Sequence, residues 1–272
     1  MTTSYTKRTT LRQRSVSAAR RLLDKAGICR PPVDLSRLAR LQGVSDIRAE
    51  PLGAIDAELV PVDSGYIIRV NAEKPEPRRR FSIAHEIAHT FFMPRATSYR
   101  NGATVSYKLR GLSHETEERL CDEAAAEMLM PEGMFREKAC ADRPSIALLK
   151  ELAKTFAVSL EATALRYANI VPEAPQVTYW FKQGDELQFK WDRGTCIVPA
   201  TSFAPARRGR SSIIQEALTR AYYGDGPTKA QGVERAVYPP RTVLIQAQGF
   251  RQGKERYVLS LMQSTYSKEG ES

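Results

Sequence analysis

With 272 residues, 42% of them hydrophobic and 26% charged, the chain can build one large domain or two modest ones, which excludes wholesale disorder. No apolar run approaches the ~20 residues needed to cross a bilayer, so no membrane partner is expected. A net charge of +10 points either to an anionic partner such as nucleic acid or simply to solubility.

The basic, Ser/Thr-rich start, MTTSYTKRTTLRQRSVSAARR, lacks the apolar stretch of a secretory signal. It reads as a basic tail running into a first amphipathic helix over about 12–27, with Ala19, Leu22, Leu23 and Ala26 at helical spacing. Cys29, Cys121, Cys140 and Cys196 form no CxxC pair, which suits a reducing, cytoplasmic location. After Pro31-Pro32, the segment DLSRLARLQ predicts a short helix closed by Gly43. The stretch from Ile47 to Val70 predicts two or three strands with a turn at Asp63-Ser64-Gly65. Helices are predicted over Arg78–Phe92 and Glu115–Leu129, the second stopped at Met130-Pro131.

The chemistry lies in FSIAHEIAHTFF. His85 and His89 are four residues apart, so at ~100° per residue their side chains leave one helix face about 40° apart and one turn apart. Two imidazoles so placed suit a tetrahedral zinc, and Glu86 beside them suits a general base. The apolar flanks Ile83, Ala84, Ile87, Ala88, Phe91 and Phe92 bury this helix, and buried ionisable groups need partners or a metal. A third ligand is required. The HExxHxxGxxH form is excluded, because Phe92 and Arg95 stand where its Gly and last His belong. In ETEERLCDEAAAEMLMP, Glu118 is the expected ligand, with Asp122 one turn on as the carboxylate that orients a histidine. Glu115, Glu117 and Glu123 are expected on a solvated face. His114, the third histidine, is the alternative ligand. Tyr99, Tyr107 and Arg110 are candidates for stabilising an oxyanion, and Cys121 is expected to be a small core residue. Zinc is the expected cofactor, with manganese or another divalent metal as substitute.

These paired segments resemble the ImmA/IrrE family of metallo-endopeptidases. The residues that carry the resemblance are Phe81, Ala84 to His89, Glu118, Cys121, Asp122, Ala125, Ala126 and Met128 to Pro131, with PPVDLSRLARLQGV upstream. It extends over about residues 12–170, and Ala124 departs from it where an aromatic is common. The resemblance implies a gluzincin-like His-His-Glu zinc site in an α+β, zincin-like helical domain with a small sheet. It also implies a helix-turn-helix repressor as substrate, whose cleavage derepresses stress, DNA-damage or antiphage genes.

LLKELAKTFAVSLEATALRYANI has the form of a helix-turn-helix, but Arg166 is the only basic residue of its second helix. From Val177 onward VTYWFK, ELQFKWD, CIVPA, TVLIQAQ and YVLSLMQ predict strands, with one helix near Ser211–Tyr223. The expected division is a metallopeptidase domain over 1–142, a helix-turn-helix-like segment over 143–174 and a small α+β module over 175–272, for which the family resemblance implies a GAF-like sensor. Trp180, Trp191, Tyr222 and Tyr223 lie among basic residues including Arg207, Arg208 and Arg210, a composition suited to holding single-stranded DNA as an activator. The alternative function is a DNA-binding regulator that retains the peptidase fold.

Overall fold

The computed structural model describes residues 2–92, 113–183, 186–195, 213–224, 227–234, 241–252 and 255–264. They form an α+β protein made of two compact units. The first comprises Met1–Phe135 with Ala153–Ser159, and the second Arg136–Leu152 with Leu160–Ser272.

In the first unit, helix α1 (Thr2–Lys25) and the short α2 (Leu35–Leu41) precede strands β1 (Val44–Glu50), β2 (Ala57–Val62) and β3 (Gly65–Asn71). Asp34 starts α2 by accepting the Arg37 backbone N–H, the side-chain cap that satisfies an otherwise orphan donor. The strand order is β1-β3-β2, with β3 parallel to β1 and antiparallel to β2. Tyr66, Ile68 and Val70 alternate along β3 and are buried on one face, as a period of two requires. Gly65 is needed where β3 begins. Its φ is +142°, and a Cβ there would meet the Gly43 carbonyl oxygen at 2.2 Å.

The two helices of the predicted site follow: α3 (Glu76–His89) and α4 (His114–Leu129). The Ser113 hydroxyl caps α4 by accepting the Thr116 N–H at 3.3 Å. Glu115 and Glu117 in its first turn complement the helix dipole. Ala124 and Ala125 are wholly buried, and α3 packs directly against α4. α1 covers another face of α4 through Ala19, Leu22, Leu23 and Ala26, with the Ser15 hydroxyl donating to the Leu120 carbonyl at 2.8 Å. Glu127, buried on α4, accepts from Arg20 at 2.9 Å and from the Glu132 backbone N–H at 3.2 Å.

Helices α5 (Glu132–Ala139), α6 (Ile146–Phe156) and α7 (Leu160–Ile170) continue the chain, with Ala157 at φ 52° between the last two. The second unit then builds an antiparallel sheet in the order β5-β4-β8-β7-β6. Its strands are β4 (Gln176–Gln183), β5 (Glu186–Arg193), β6 (Thr228–Glu234), β7 (Arg241–Gln252) and β8 (Glu255–Ser264). Helix α8 (Ile213–Tyr223) lies on one face over Trp180, Val243, Ile245, Ala247, Val258 and Met262. Close contact there requires Gly249, since a Cβ would meet the Ala221 carbonyl oxygen at 2.1 Å. Tyr179 faces Trp191, Phe250 and Tyr257 in an aromatic cluster, and Glu161 of α7 accepts hydrogen bonds from Trp191 and Lys190.

Strand β6, TKAQGVE, has no apolar alternation and is not expected from the sequence; it is an edge strand held by its pairing to β7. The predicted strand CIVPA (196–200) lies outside the described residues. No helix among the described residues is long and apolar enough to cross a membrane.

Candidate metal centre

Helix α3 enters at Pro75 and buries Ala84, Ile87 and Ala88 completely, so the adjoining face carries His85 and His89 towards α4. The two Nε2 atoms are 3.1 Å apart. Both face one carboxylate: His85 Nε2 is 3.2 Å from Glu118 Oε2, and His89 Nε2 is 3.5 Å from Glu118 Oε1. Asp122 takes the opposite side of the first ring, with Oδ1 2.9 Å from His85 Nδ1. Among the residues singled out in the sequence, His85, His89, Glu118 and Asp122 are thus brought together on facing helices.

The donor set suits a divalent metal. Tetrahedral zinc with bonds of about 2.0–2.1 Å separates its ligand atoms by about 3.3–3.4 Å; here the two Nε2 atoms are 3.1 Å apart, and each lies 3.2–3.5 Å from one or other oxygen of Glu118. His85, His89 and Cys121 also each offer a donor within 4.8 Å of the others. Cys121 Sγ, however, lies 3.5 Å from His89 Nδ1, on the side of the ring away from Glu118. Burial first, and then the charges of Glu117 and Glu118, push its thiol well above the ordinary range.

Glu86 sits beside β2, where the Leu59 backbone N–H donates to its carboxylate. Burial, reinforced by Glu118 and Glu58, raises its pKa to about 7 against the opposing pull of His85 and Leu59. For His85, burial acts downward but is outweighed by the hydrogen bond to Asp122 and the nearby carboxylates, so the net shift is upward. His89 moves down, through burial and then through the charge of His85.

His114, the first residue of α4, holds Nδ1 3.4 Å from Glu118 Oε1 while its side chain is 76% exposed. It is far more exposed than His85 and His89, and its contact is with Glu118 alone among the donors described. Tyr99, Tyr107, Arg110, Arg207, Arg208 and Arg210 lie outside the described residues. Trp180 is 1% exposed and donates to the Ser260 hydroxyl, so core packing uses the face it would need to stack on a base. Tyr223 is 65% exposed.

Sequence reasoning missed Glu117. Expected in solvent, it is 8% exposed, and its Oε1 is 3.4 Å from His89 Nδ1. The signal was present in the spacing: Glu117, Cys121, Ala124 and Met128 fall at i, i+4, i+7 and i+11, a stripe that is otherwise small and apolar.

Residues 44–167 match the model of the IrrE N-terminal-like domain, a peptidase family. Over 133 residues, 49% of this chain, the sequence is 35% identical to the radiation response metalloprotease IrrE of Deinococcus radiodurans. The match spans 38% of that relative's length. A solved structure described as a Mycobacterium tuberculosis transcriptional regulator is similar over 96% of this chain and 94% of its own, with a TM-score of 0.58. At 15% identity that likeness concerns the fold alone. The domain match and the 35% identity show that residues 44–167 carry an IrrE N-terminal-like peptidase domain similar to that of the ImmA/IrrE metalloproteases.

Proposed function

We propose that the chain is a zinc-dependent, gluzincin-like endopeptidase that cleaves a helix-turn-helix transcriptional repressor. Cleavage would derepress stress, DNA-damage or antiphage genes. The observation that carries the reading is the convergence of His85 Nε2, His89 Nε2 and the Glu118 carboxylate at 3.1–3.5 Å, with Glu86 alongside. These three residues would hold the metal, with manganese or another divalent ion able to substitute. A divalent metal at such a centre acidifies water and polarises a carbonyl oxygen.

The chain's own groups supply the proton handling. Glu86 accepts the proton of the water that adds to the peptide carbonyl and passes it to the leaving amine as the C–N bond breaks. Burial raises its pKa above that of an ordinary carboxylate, which suits a group that must both take and return a proton. Asp122 fixes His85 by accepting the Nδ1 proton, which leaves Nε2 free towards Glu118.

The second unit is the proposed sensor, a GAF-like module that responds to a signal such as single-stranded DNA. In its support stand the net charge of +5 over residues 175–272, half of the chain's +10, the exposed Tyr223 and the cation–ring contact of Arg256 over Tyr222. The test incubates wild type and Glu86→Gln with the helix-turn-helix protein encoded beside it, with and without single-stranded DNA. Cleavage by wild type alone, stimulated by DNA, is expected. Cleavage by both forms, or by neither under any condition, overturns the mechanism. Binding to DNA that is absent or insensitive to salt removes the activator from the proposal.

A second reading, a DNA-binding regulator on a peptidase fold, is favoured by the basic charge and by the likeness in fold to the M. tuberculosis transcriptional regulator. Its effect on transcription would be indifferent to Glu86→Gln.

A further inference from the structure

Two carboxylates flank Glu118 on α4, one residue before it and four residues after it. Asp122 faces Nδ1 of His85 at 2.9 Å, and Glu117 faces Nδ1 of His89 at 3.4 Å. A helix places residues i−1 and i+4 on opposite sides of residue i, so one ligand carboxylate is bracketed by two groups reaching different rings. Both Nε2 atoms meanwhile point inwards to the same carboxylate. The arrangement is symmetric in function but not in burial, since the Asp122 side chain is largely exposed and that of Glu117 is nearly enclosed.

Enclosing a carboxylate beside Cys121, Ala124 and Ala125 is costly unless it accepts hydrogen bonds. Among the described residues, the His89 ring is placed to donate one. Cys121 Sγ is the other neighbour of that ring nitrogen, at 3.5 Å, but a thiol is only a weak acceptor. We infer that Glu117 is the positioning residue for His89: it accepts the Nδ1 proton, fixes the tautomer and keeps the Nε2 lone pair aimed at the metal position. The inference rests on the His-His-Glu reading of the centre. It also accounts for a glutamate within an otherwise apolar buried stripe.

The test uses the full chain in two states. In the metal-free protein, two-dimensional ¹H–¹⁵N correlation of the imidazoles reads the tautomer of each ring, and only three histidines need assignment. In the zinc-loaded protein, competition with a chromophoric chelator reads affinity. Wild type should carry the His89 proton on Nδ1. Glu117→Leu, which fills the same buried volume with apolar atoms, should release that preference and weaken zinc binding about 10- to 100-fold. Glu117→Gln, whose amide oxygen can accept the same N–H, should restore most of the affinity, whereas a merely structural role would leave the tautomer unmoved in all three proteins.

Wild-type affinity and tautomer in Glu117→Leu would overturn the inference. So would a His89 proton on Nε2 in the wild type, a result that needs no variant to fold. Loss of the tautomer preference in Cys121→Ala, with Glu117 intact, would assign the role to the thiol and overturn it equally. His89→Ala separates the two levels: zinc affinity unchanged in that variant sinks the reading of the centre itself, whereas affinity lost there but kept in Glu117→Leu sinks only the role of Glu117.

Discussion

The cluster of His85, His89, Glu118 and Asp122 joins two helical pairs of residues about thirty positions apart in sequence, and each makes a distinct demand on it. Glu86→Gln keeps the size and the polar contact of the side chain but removes its basicity. Peptidase turnover should fall about 10²- to 10⁴-fold with zinc content unchanged, measured by cleavage assay and metal analysis. Glu118→Ala removes the carboxylate that both Nε2 atoms face, so zinc content should fall with activity. Zinc retained in that variant would move the third ligand elsewhere, and Cys121 would be the next residue to test. Placing His85 and His89 needed only the pitch of a helix. Glu117 was harder to place, because a glutamate in an acidic run looks solvated until the packing of the neighbouring helix is known.

At the scale of elements, α4 is the piece whose placement matters most, and charged contacts pin it from the side of α1. Arg20 of α1 donates to the buried Glu127 carboxylate, so Arg20→Ala takes a charged donor from it. The substitution should destabilise the first unit by about 1–3 kcal/mol, read from urea unfolding. Helix α3 is tied to the chain before β2 by Asp56, which accepts from Arg78 at 2.8 Å and pairs with Lys74 at 3.1 Å. Burial alone would raise its pKa, but these two cations prevail and hold it below the ordinary 3.8. A carboxylate depressed in the fold stabilises it fully above its unfolded pKa and loses that contribution as pH falls through the folded value. Wild type should therefore exceed Asp56→Asn in stability at neutral pH, with the difference shrinking below about pH 4. A gap that is constant with pH would assign the effect to packing. The end of α4 was readable because Pro131 stops it, whereas α3, expected over Arg78–Phe92, runs over Glu76–His89; β6 was not readable, because an edge strand of polar residues takes its structure from its neighbour.

For the whole molecule, the described donors of the metal centre belong to the first unit, whereas α8 and the five-stranded sheet belong to the second. Gly249→Val drives a side chain into the Ala221 carbonyl and should lower the melting temperature of the second unit while zinc affinity stays at the wild-type level. Loss of zinc in that variant would contradict the assignment of the described donors to one unit. The sequence alone determined the HExxH geometry, the acidic helix that answers it and the change from helices to strands near Val177. Each follows from the periodicity of a single element or from a local stop signal. Tertiary structure alone decided which carboxylate meets which ring nitrogen and that Glu117 is buried. It also decided that Trp180 fills a core and that β1 pairs with β3 in place of its chain neighbour β2. Those outcomes depend on how separate elements approach one another, and no single segment carries that information.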